Sequence, residues 1–280
     1  MKYYVIKPPE ALKEIVRSFW LLEYDPYGVT PDLYQSMADE SAELILPFGG
    51  GGFVEAGTTQ LYVRAQKSSF RSYSLSEKFG MLGARLFPHA IPELIGIDAS
   101  ELCNRTVDAE LLFGKQVNEV RDRMLSSESP MEKVKIIGDF LQNLSRKRKA
   151  DPMNKLVKGI MQQEGSIELK EYLYRSGFSQ KHFERRFKSL TGFSPKHFAR
   201  IVRYHSTKRR YATGRFKSLS ELAQASGYCD QSYFIREFKE FSGWHPSRYF
   251  NLMNDQNNED GKLIKGLIVV KDQYHTLSEK

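Results

Sequence analysis

Arginine and lysine side chains recur at matching positions in two segments that lie 51 residues apart. Residues 183–195 read FERRFKSLTGFSP, and residues 234–246 read FIREFKEFSGWHP. Six of the 13 positions are identical, and one of these pairs Arg185 with Arg236. Arginine pairs with the N7 and O6 of guanine, glutamine pairs with adenine, and a carboxylate can accept from the amino group of cytosine. The spacing therefore predicts chemistry for recognising bases at two places in the chain.

The residues upstream of each segment predict how those side chains are positioned. Ser176-Gly177-Phe178 matches Ser226-Gly227-Tyr228, so the similarity extends beyond the 13 positions. A glycine in the left-handed conformation commonly ends a helix, and a serine or aspartate commonly caps the next one. Gly177 is followed by Ser179, and Gly227 is followed by Asp230. Each copy thus predicts a helix, a short turn and a second helix, which is the helix-turn-helix motif.

The second helix of each copy has one apolar face and one polar face. Phenylalanine or leucine at positions i, i+4 and i+7 predicts the buried face. The opposite face carries side chains that we predict to contact DNA: Lys181, Glu184, Arg185 and Lys188 in the first copy, and Gln231, Ser232, Arg236 and Lys239 in the second. The alternative is an ordinary surface helix that is rich in lysine and arginine. The arginine that is placed alike in both copies weighs against that alternative.

A helix over residues 195–211 is predicted between the two copies. About 16 residues rise roughly 24 Å at 1.5 Å per residue. Such a helix can hold two recognition helices about one turn of DNA apart, on the order of 34 Å. Lys208 and Arg209 lie on it, and we predict that they contact phosphates.

The distribution of charge divides the chain. Residues 146–250 hold 23 lysines and arginines against 9 aspartates and glutamates, whereas residues 1–145 hold 15 against 20. A basic module beside an acidic one indicates a polyanionic partner for the basic module alone. A solvated basic face without a partner is the alternative. We predict a sensing or dimerisation domain over residues 1–145, a DNA-binding domain over 146–254 and a tail of unassigned role over 255–280.

The predicted fold class is α+β, with a strand-rich N-terminal domain that also contains helices and an all-α domain of two tandem helix-turn-helix units joined by a long helix. Short apolar or alternating runs predict strands at residues 3–6, 43–46, 60–63 and 81–87. Residues 11–19 have the pattern of a short helix. The apolar run at residues 263–270 predicts either a strand added to the N-terminal domain or a segment that packs on the helices.

Four aromatic residues of the N-terminal domain are candidates for lining a ligand pocket: Trp20, Phe48, Phe53 and Tyr62. The alternative is that these side chains simply belong to the core. Residues 49–52 are four consecutive glycines, but they lack the Gly-Lys-Ser/Thr that completes a phosphate-binding loop. A hairpin turn or a flexible loop is the better interpretation.

Several function classes lack support. His89 is the only histidine before the basic module, and two cysteines are too few for a zinc site made of cysteine alone. We therefore predict no metal, no cofactor and no catalytic residues. No apolar stretch is long enough to span a membrane. The two cysteines, which are far apart, fit a reduced cytoplasm. Two further hypotheses stay open: an enzyme in the N-terminal domain that the basic module targets to DNA, and an architectural protein that binds DNA of any sequence.

The two copies closely resemble the AraC/XylS family of bacterial transcription regulators. The motifs that carry the resemblance are GFS at 177–179, FERRFK at 183–188, GFSP at 192–195, GYCDQSYF at 227–234 and GWHP at 243–246. The resemblance covers about 100 residues. It implies a sequence-specific regulator, an activator or a repressor, whose two recognition helices enter two successive major-groove segments. The positions matching Lys181, Glu184 and Arg185, and Gln231, Ser232 and Arg236, would face the DNA.

The resemblance also implies partners, and the chain departs from the family pattern at two positions. Double-stranded DNA is the main partner, and RNA polymerase, a small-molecule effector and a second copy of the chain are the others to test. Leu173 stands where the family usually has a small residue, so we expect the first helix of that copy to pack differently. Lys181 replaces a bulky aromatic residue of some members, so the base preference does not carry over.

Overall fold

The computed structural model describes residues 2–25, 32–49, 60–75, 77–146, 151–166, 169–214, 216–255 and 267–268. The described residues form a strand-rich half followed by a helical half, which confirms the predicted α+β class. No helix in these ranges is both long enough and apolar enough to cross a membrane.

The strand-rich half contains two sheets. The strands of the larger sheet are β1 (Lys2–Ile6), β2 (Val16–Tyr24), β4 (Ala42–Phe48), β5 (Tyr62–Arg64), β7 (Phe79–Leu86) and β8 (Thr106–Asp108). They are all antiparallel, in the order β1-β2-β7-β4-β5-β8. The smaller sheet joins β3 (Asp32–Ser36), β6 (Arg71–Leu75) and β9 (Leu267–Ile268). Because β9 pairs with β3, the described part of the tail adds a strand to this half, as one of the two alternatives predicted.

Both faces of the larger sheet are buried, which explains why its strands are apolar at consecutive positions. In β2, Phe19 and Leu21 contribute to the core beneath the helices, and Trp20 and Leu22 contribute to the core on the opposite face. This alternation follows from the two-residue period of a strand. Trp20 lies flat over Gly83 of β7, where a Cβ atom would come within 2.3 Å of the indole ring.

The first core is covered by a 3₁₀ turn and helices. They are Glu10–Leu12 (the 3₁₀ turn), α1 (Ala90–Ile95), α2 (Ala99–Leu102), α3 (Ala109–Phe113), α4 (Gln116–Ser126) and α5 (Pro130–Ser145). The helix predicted over residues 11–19 is wrong, because a single 3₁₀ turn is followed by strand β2. This strand pairs with β1 on one side and β7 on the other, so sheet pairing outweighs the local helical pattern.

The helical half consists of α6 (Asn154–Gln162), α7 (Leu169–Ser176), α8 (Gln180–Thr191), α9 (Pro195–Thr213), α10 (Leu219–Ala225), α11 (Gln231–Ser242) and α12 (Pro246–Asp255). We call α7 with α8 the first unit and α10 with α11 the second unit. Helix α9 has 19 residues, slightly more than predicted, and rises about 28 Å. Phe198, Ile201 and Tyr204 are fully buried on it, so α9 forms the centre of the helical core.

Candidate nucleic-acid interface

The two candidate recognition helices, α8 and α11, begin and end in the same way. The Ser179 hydroxyl accepts a hydrogen bond from the backbone N–H of His182, and the Asp230 carboxylate accepts one from that of Tyr233. The hydrogen bond from the Tyr233 N–H is the main reason why the pKa of Asp230 lies below its usual range. Both helices end at a left-handed glycine, Gly192 in the first unit and Gly243 in the second. The local caps that the sequence predicts are therefore present.

Each recognition helix buries one face and exposes the other. The buried side chains are Phe183, Phe187 and Leu190 in α8 and Phe234, Phe238 and Phe241 in α11. All eight polar residues predicted on these helices are exposed, namely Lys181, Glu184, Arg185, Lys188, Gln231, Ser232, Arg236 and Lys239. Two protruding helices thus present donors and acceptors of the kinds that recognise base edges and phosphates.

An ion-pair network that includes the buried carboxylate of Glu237 joins α11 to the linker helix α9. The Nε of Arg200 donates to Oε2 of Glu237 at 2.7 Å, and its Nη2 donates to Glu240 at 2.5 Å. Burial alone would lower the pKa of Arg200, but the hydrogen bonds that it donates to Glu237 and Glu240 raise that pKa well above its usual value. Arg200 therefore anchors the second recognition helix to α9.

Lys208 and Arg209, the predicted phosphate contacts on α9, are both half-buried. The Nζ of Lys208 lies 5.2 Å from the centre of the Tyr204 ring and 3.7 Å from Sδ of Met37, a residue of the strand-rich half. The structure therefore places Lys208 at the junction between the halves, whereas the eight polar residues of α8 and α11 are exposed to solvent.

The strand-rich half contacts both units near the ends of their recognition helices. At the first unit, the Ser189 hydroxyl donates to Asp98 at 2.6 Å. At the second unit, the backbone N–H of Ala38 donates to the carbonyl of Phe241 at 3.0 Å. The indole N–H of Trp244 also donates to the side chain of Gln35. A short segment after β3 is therefore attached directly to the second unit.

A cavity of about 80 Å³ lies at this junction. We call it the junction cavity, and its lining includes Trp20, Ser36, Lys67, His205 and Lys208. The indole N–H of Trp20 is buried and has no hydrogen-bond partner among the described residues. Residues from both halves thus surround one space.

Tyr62 and Phe48, two of the other predicted pocket residues, do not line the junction cavity. Tyr62 is fully buried, and its hydroxyl lies 3.9 Å from Sδ of Met81. Phe48 is half-buried against Gly80, with the Nζ of Lys133 5.4 Å from its ring centre. Phe53 lies outside the described residues. Tyr62 and Phe48 contribute to the packing of the sheet.

Charged residues at the junction form a cluster that the sequence pattern did not indicate. His205 lies 3.4 Å from a carboxylate oxygen of Glu40, and its Nε2 is 2.9 Å from the carbonyl of Ala38. Asp39, Glu40 and His205 could together approach a cation, because their ligand atoms lie within 4.8 Å of one another. However, Arg17 already pairs with Glu40 at 2.7 Å. No local motif could predict this cluster, since His205 and Glu40 are far apart in the chain.

Two protein families match separate parts of the chain. A helix-turn-helix domain matches residues 173–251, which contain most of the first unit and all of the second. A domain of unknown function matches residues 4–108, which contain most of the two sheets. A comparison with curated protein sequences finds no match.

Solved structures provide further comparisons. Apo ToxT from Vibrio cholerae is 14% identical, with a TM-score of 0.45 over 83% of this chain and 97% of that chain. ToxT from the same organism bound to an unsaturated fatty acid is 16% identical, with a TM-score of 0.45 over 83% and 95%. The DNA-binding domain of AdpA in complex with a target DNA is 22% identical, with a TM-score of 0.36 over 40% of this chain and 100% of that chain.

The family match and the geometry concern the same residues. The matched helix-turn-helix domain contains the complete recognition helices α8 and α11, with their caps, their buried phenylalanines and their exposed polar faces. The GYCDQSYF run at 227–234 supplies the turn and the first residues of α11. The family match therefore supports a DNA-binding transcription regulator whose residues 173–251 form a helix-turn-helix domain and resemble those of the AraC family.

Proposed function

We propose that one molecule reads two successive major-groove segments of double-stranded DNA, one with α8 and the other with α11. The observation that carries this proposal is that both helices expose an arginine at the same position of the repeat, Arg185 in one and Arg236 in the other. A second helix of a helix-turn-helix motif enters the major groove with its N-terminal residues against the base edges.

The residue types suggest a division of roles. Arg185 and Arg236 would pair with guanine, Gln231 with adenine, and Glu184 with the amino group of cytosine. Ser232 and Lys181 would add adaptable contacts. Lys188 and Lys239 would neutralise phosphates, and Lys208 and Arg209 stay predicted phosphate contacts. Because the exposed residues of the two helices differ, we expect an asymmetric site with two unlike halves.

A spacing series tests the proposal. The full chain selects its preferred duplex from a randomised library, and variants of that duplex then carry insertions between the two halves. An insertion of about 5 bp turns one half to the opposite side of the duplex, so binding falls toward the level for random DNA. An insertion of about 10.5 bp does not restore it, because α9 cannot extend by another 34 Å or so. Equal affinity across the series, measured by mobility shift, would show that one helix does all the reading.

We further propose that a small-molecule effector binds in the junction cavity. Its support is the position of the cavity between the sheets and α9, together with the N–H of Trp20, which no residue in the described ranges accepts. A thermal-shift screen of metabolites on the full chain tests this. A ligand of the cavity raises the Tm of the wild type, raises it less in Lys208→Ala, and raises it fully in the control Lys239→Ala. The absence of any stabilising metabolite contradicts the proposal.

The division of the chain into domains is also a proposal. A DNA-binding domain over residues 146–254 is supported by the separate helical core, although Ala38 of the strand-rich half contributes to that core. The purified fragment should fold and shift DNA at low salt; an unfolded fragment by circular dichroism contradicts the division. Residues 1–145 would form a domain that senses a small molecule or mediates dimerisation. Contacts with RNA polymerase and with a second copy of the chain stay predictions.

A further inference from the structure

The ring of Tyr233 lies beside the side chain of Arg236 at the start of α11. The guanidinium carbon of Arg236 is 5.8 Å from the centre of that ring. An arginine at this distance is attracted to the ring face. Arg236 is exposed, whereas Tyr233 is only half-buried at the boundary of the helical core. The ring therefore forms one side of the space in which the arginine moves.

The ring itself is fixed from below. The hydroxyl of Tyr233 donates to Oε2 of Glu237 at 2.8 Å, and the side chain of Glu237 is fully buried. Arg200 of the linker helix donates to the same oxygen atom at 2.7 Å. A tyrosine has two side-chain torsions, and a hydrogen bond to an immobile carboxylate at its far end restrains both. A continuous chain of contacts thus runs from α9 through Glu237 and Tyr233 to Arg236.

We propose that Tyr233, tethered by Glu237 and Arg200, is a positioning residue that holds the guanidinium of Arg236 in its reading orientation before DNA binds. The inference rests on the proposed role of Arg236 in base recognition. A long side chain loses rotamer freedom when it binds, so restraint in the free protein lowers that cost. Tyr233 contributes to specificity through Arg236 and contacts no base itself.

The first unit lacks this arrangement and supplies the control. The repeat places His182 at the position of Tyr233, and the His182 ring lies tilted against Phe178 at 4.6 Å between ring centres. The arginine over Phe178 is Arg186, which pairs with Asp151. In the described residues no aromatic ring lies within cation–π distance of Arg185. His182 therefore has no corresponding role for Arg185.

A double-mutant cycle on the full chain tests the inference. The probe is the duplex that the chain selects from a randomised library, compared with the same duplex changed at the base pair where Arg236→Ala relaxes the choice. Tyr233→Leu is expected to lower discrimination between the two duplexes roughly threefold to tenfold, and affinity for random DNA stays unchanged. In the Arg236→Ala background, Tyr233→Leu has no further effect on discrimination. His182→Leu leaves discrimination at this base pair intact.

Tyr233→Phe keeps the ring and removes the hydrogen bond to Glu237, so it lowers discrimination less than Tyr233→Leu does. If the leucine variant does not fold, the phenylalanine variant alone tests the inference. Loss of discrimination to the same extent with and without Arg236 overturns the inference, as does no loss in either tyrosine variant. If Arg236→Ala itself changes no base preference, the proposed reading role of Arg236 fails, and the inference fails with it. If Arg236→Ala relaxes base choice and the tyrosine variants do not, the inference alone fails.

Discussion

The first and second units have the same caps and the same buried phenylalanine positions, but their supporting helices pack differently. In α10, Leu222 and Ala223 are fully buried against α11 and α9. In α7, Leu173 stands at the position of Ala223 and stays half-buried, and Tyr174 is 88% exposed. This agrees with the expectation that Leu173 alters the packing of the first helix. Two recognition helices with the same motif can therefore rest on supporting helices that are buried to different extents.

The ion pairs that involve the two recognition helices also differ in burial, and the pair of the second unit is the more buried. Arg186 of α8 pairs with Asp151, and these side chains are 43% and 25% exposed. Arg200 pairs with Glu237 of α11, and these side chains are 22% and 0% exposed. Removing one partner of a buried ion pair leaves a charge without compensation and destabilises the fold strongly, whereas water screens an exposed pair. We infer that the second unit is the more rigid of the two.

The largest expected effect concerns the phenylalanine cores. Phe238 packs against four rings, those of Tyr204, Phe234, Tyr249 and Phe250. Phe187 packs against Phe183 and Phe198. Removal of a buried phenylalanine leaves a cavity, and we expect Phe238→Ala to cost about 4 kcal/mol and Phe187→Ala about 3 kcal/mol in the free energy of unfolding. Urea denaturation measures both, with the exposed Lys239→Ala as control. A larger cost for Phe187→Ala would reverse the comparison.

The ion pairs give the next largest effect. Arg200→Ala leaves the carboxylate of Glu237 buried without its countercharge, so we expect a loss of about 3 kcal/mol. Arg186→Ala removes an exposed pair and should cost less than about 1 kcal/mol. The double variant Arg200→Ala with Glu237→Gln should recover part of the loss, because the amide carries no charge. Equal costs for the two arginines, measured by urea denaturation, would refute the proposed difference in rigidity.

Base recognition comes third. Arg185→Ala and Arg236→Ala should each cost about 1–3 kcal/mol on the selected duplex and relax the base choice at one position. We expect the larger loss for Arg236, because its side chain is held against Tyr233. Competition binding with single-base variants measures the effect. An arginine whose removal weakens selected and random DNA equally contacts a phosphate and does not read a base.

A smaller, pH-dependent effect is expected where α9, the helix that leads into the second unit, meets Glu40. Burial alone would raise the pKa of Glu40, but the charges of His205 and Arg17 outweigh it and hold that pKa below its usual range, against the repulsion of Asp39. The ionised Glu40 therefore stabilises the fold at pH values above the pKa of the unfolded chain, and this contribution is lost as the pH falls through the folded value. The difference in unfolding free energy between the wild type and Glu40→Gln should be complete at about pH 6 and shrink below about pH 4. A difference that grows on acidification would contradict this sign.

The smallest effect concerns phosphate contacts. Lys188→Ala in the first unit and Lys239→Ala in the second should each reduce the salt dependence of binding by about one unit of log–log slope. Lys208 lies against Tyr204 and Met37, so we expect Lys208→Ala to change the slope less. A titration of salt on the selected duplex and on random DNA provides the measurement. A full one-unit change for Lys208→Ala would show that Lys208 contributes to phosphate binding as much as Lys188 and Lys239 do.

The sequence by itself determined the features that depend on neighbouring residues. Caps such as Ser179 and Asp230 and glycine ends such as Gly192 act over three or four positions, and apolar spacing acts over two turns of helix. These local interactions are enough to predict both units, the linker helix and the exposed face of each recognition helix. The α+β class followed from the same short-range patterns.

The tertiary structure decided what depends on distant residues. Strand β2 forms where a helix was predicted, because β1 and β7 supply its hydrogen bonds. Tyr62 is a core residue and Trp20 borders a cavity, although both are aromatic residues on strands of the same sheet. Arg200 meets Glu237, and His205 meets Glu40, only after the chain has folded. The energy of a buried charge depends on its surroundings in space, and spacing along the chain does not specify them.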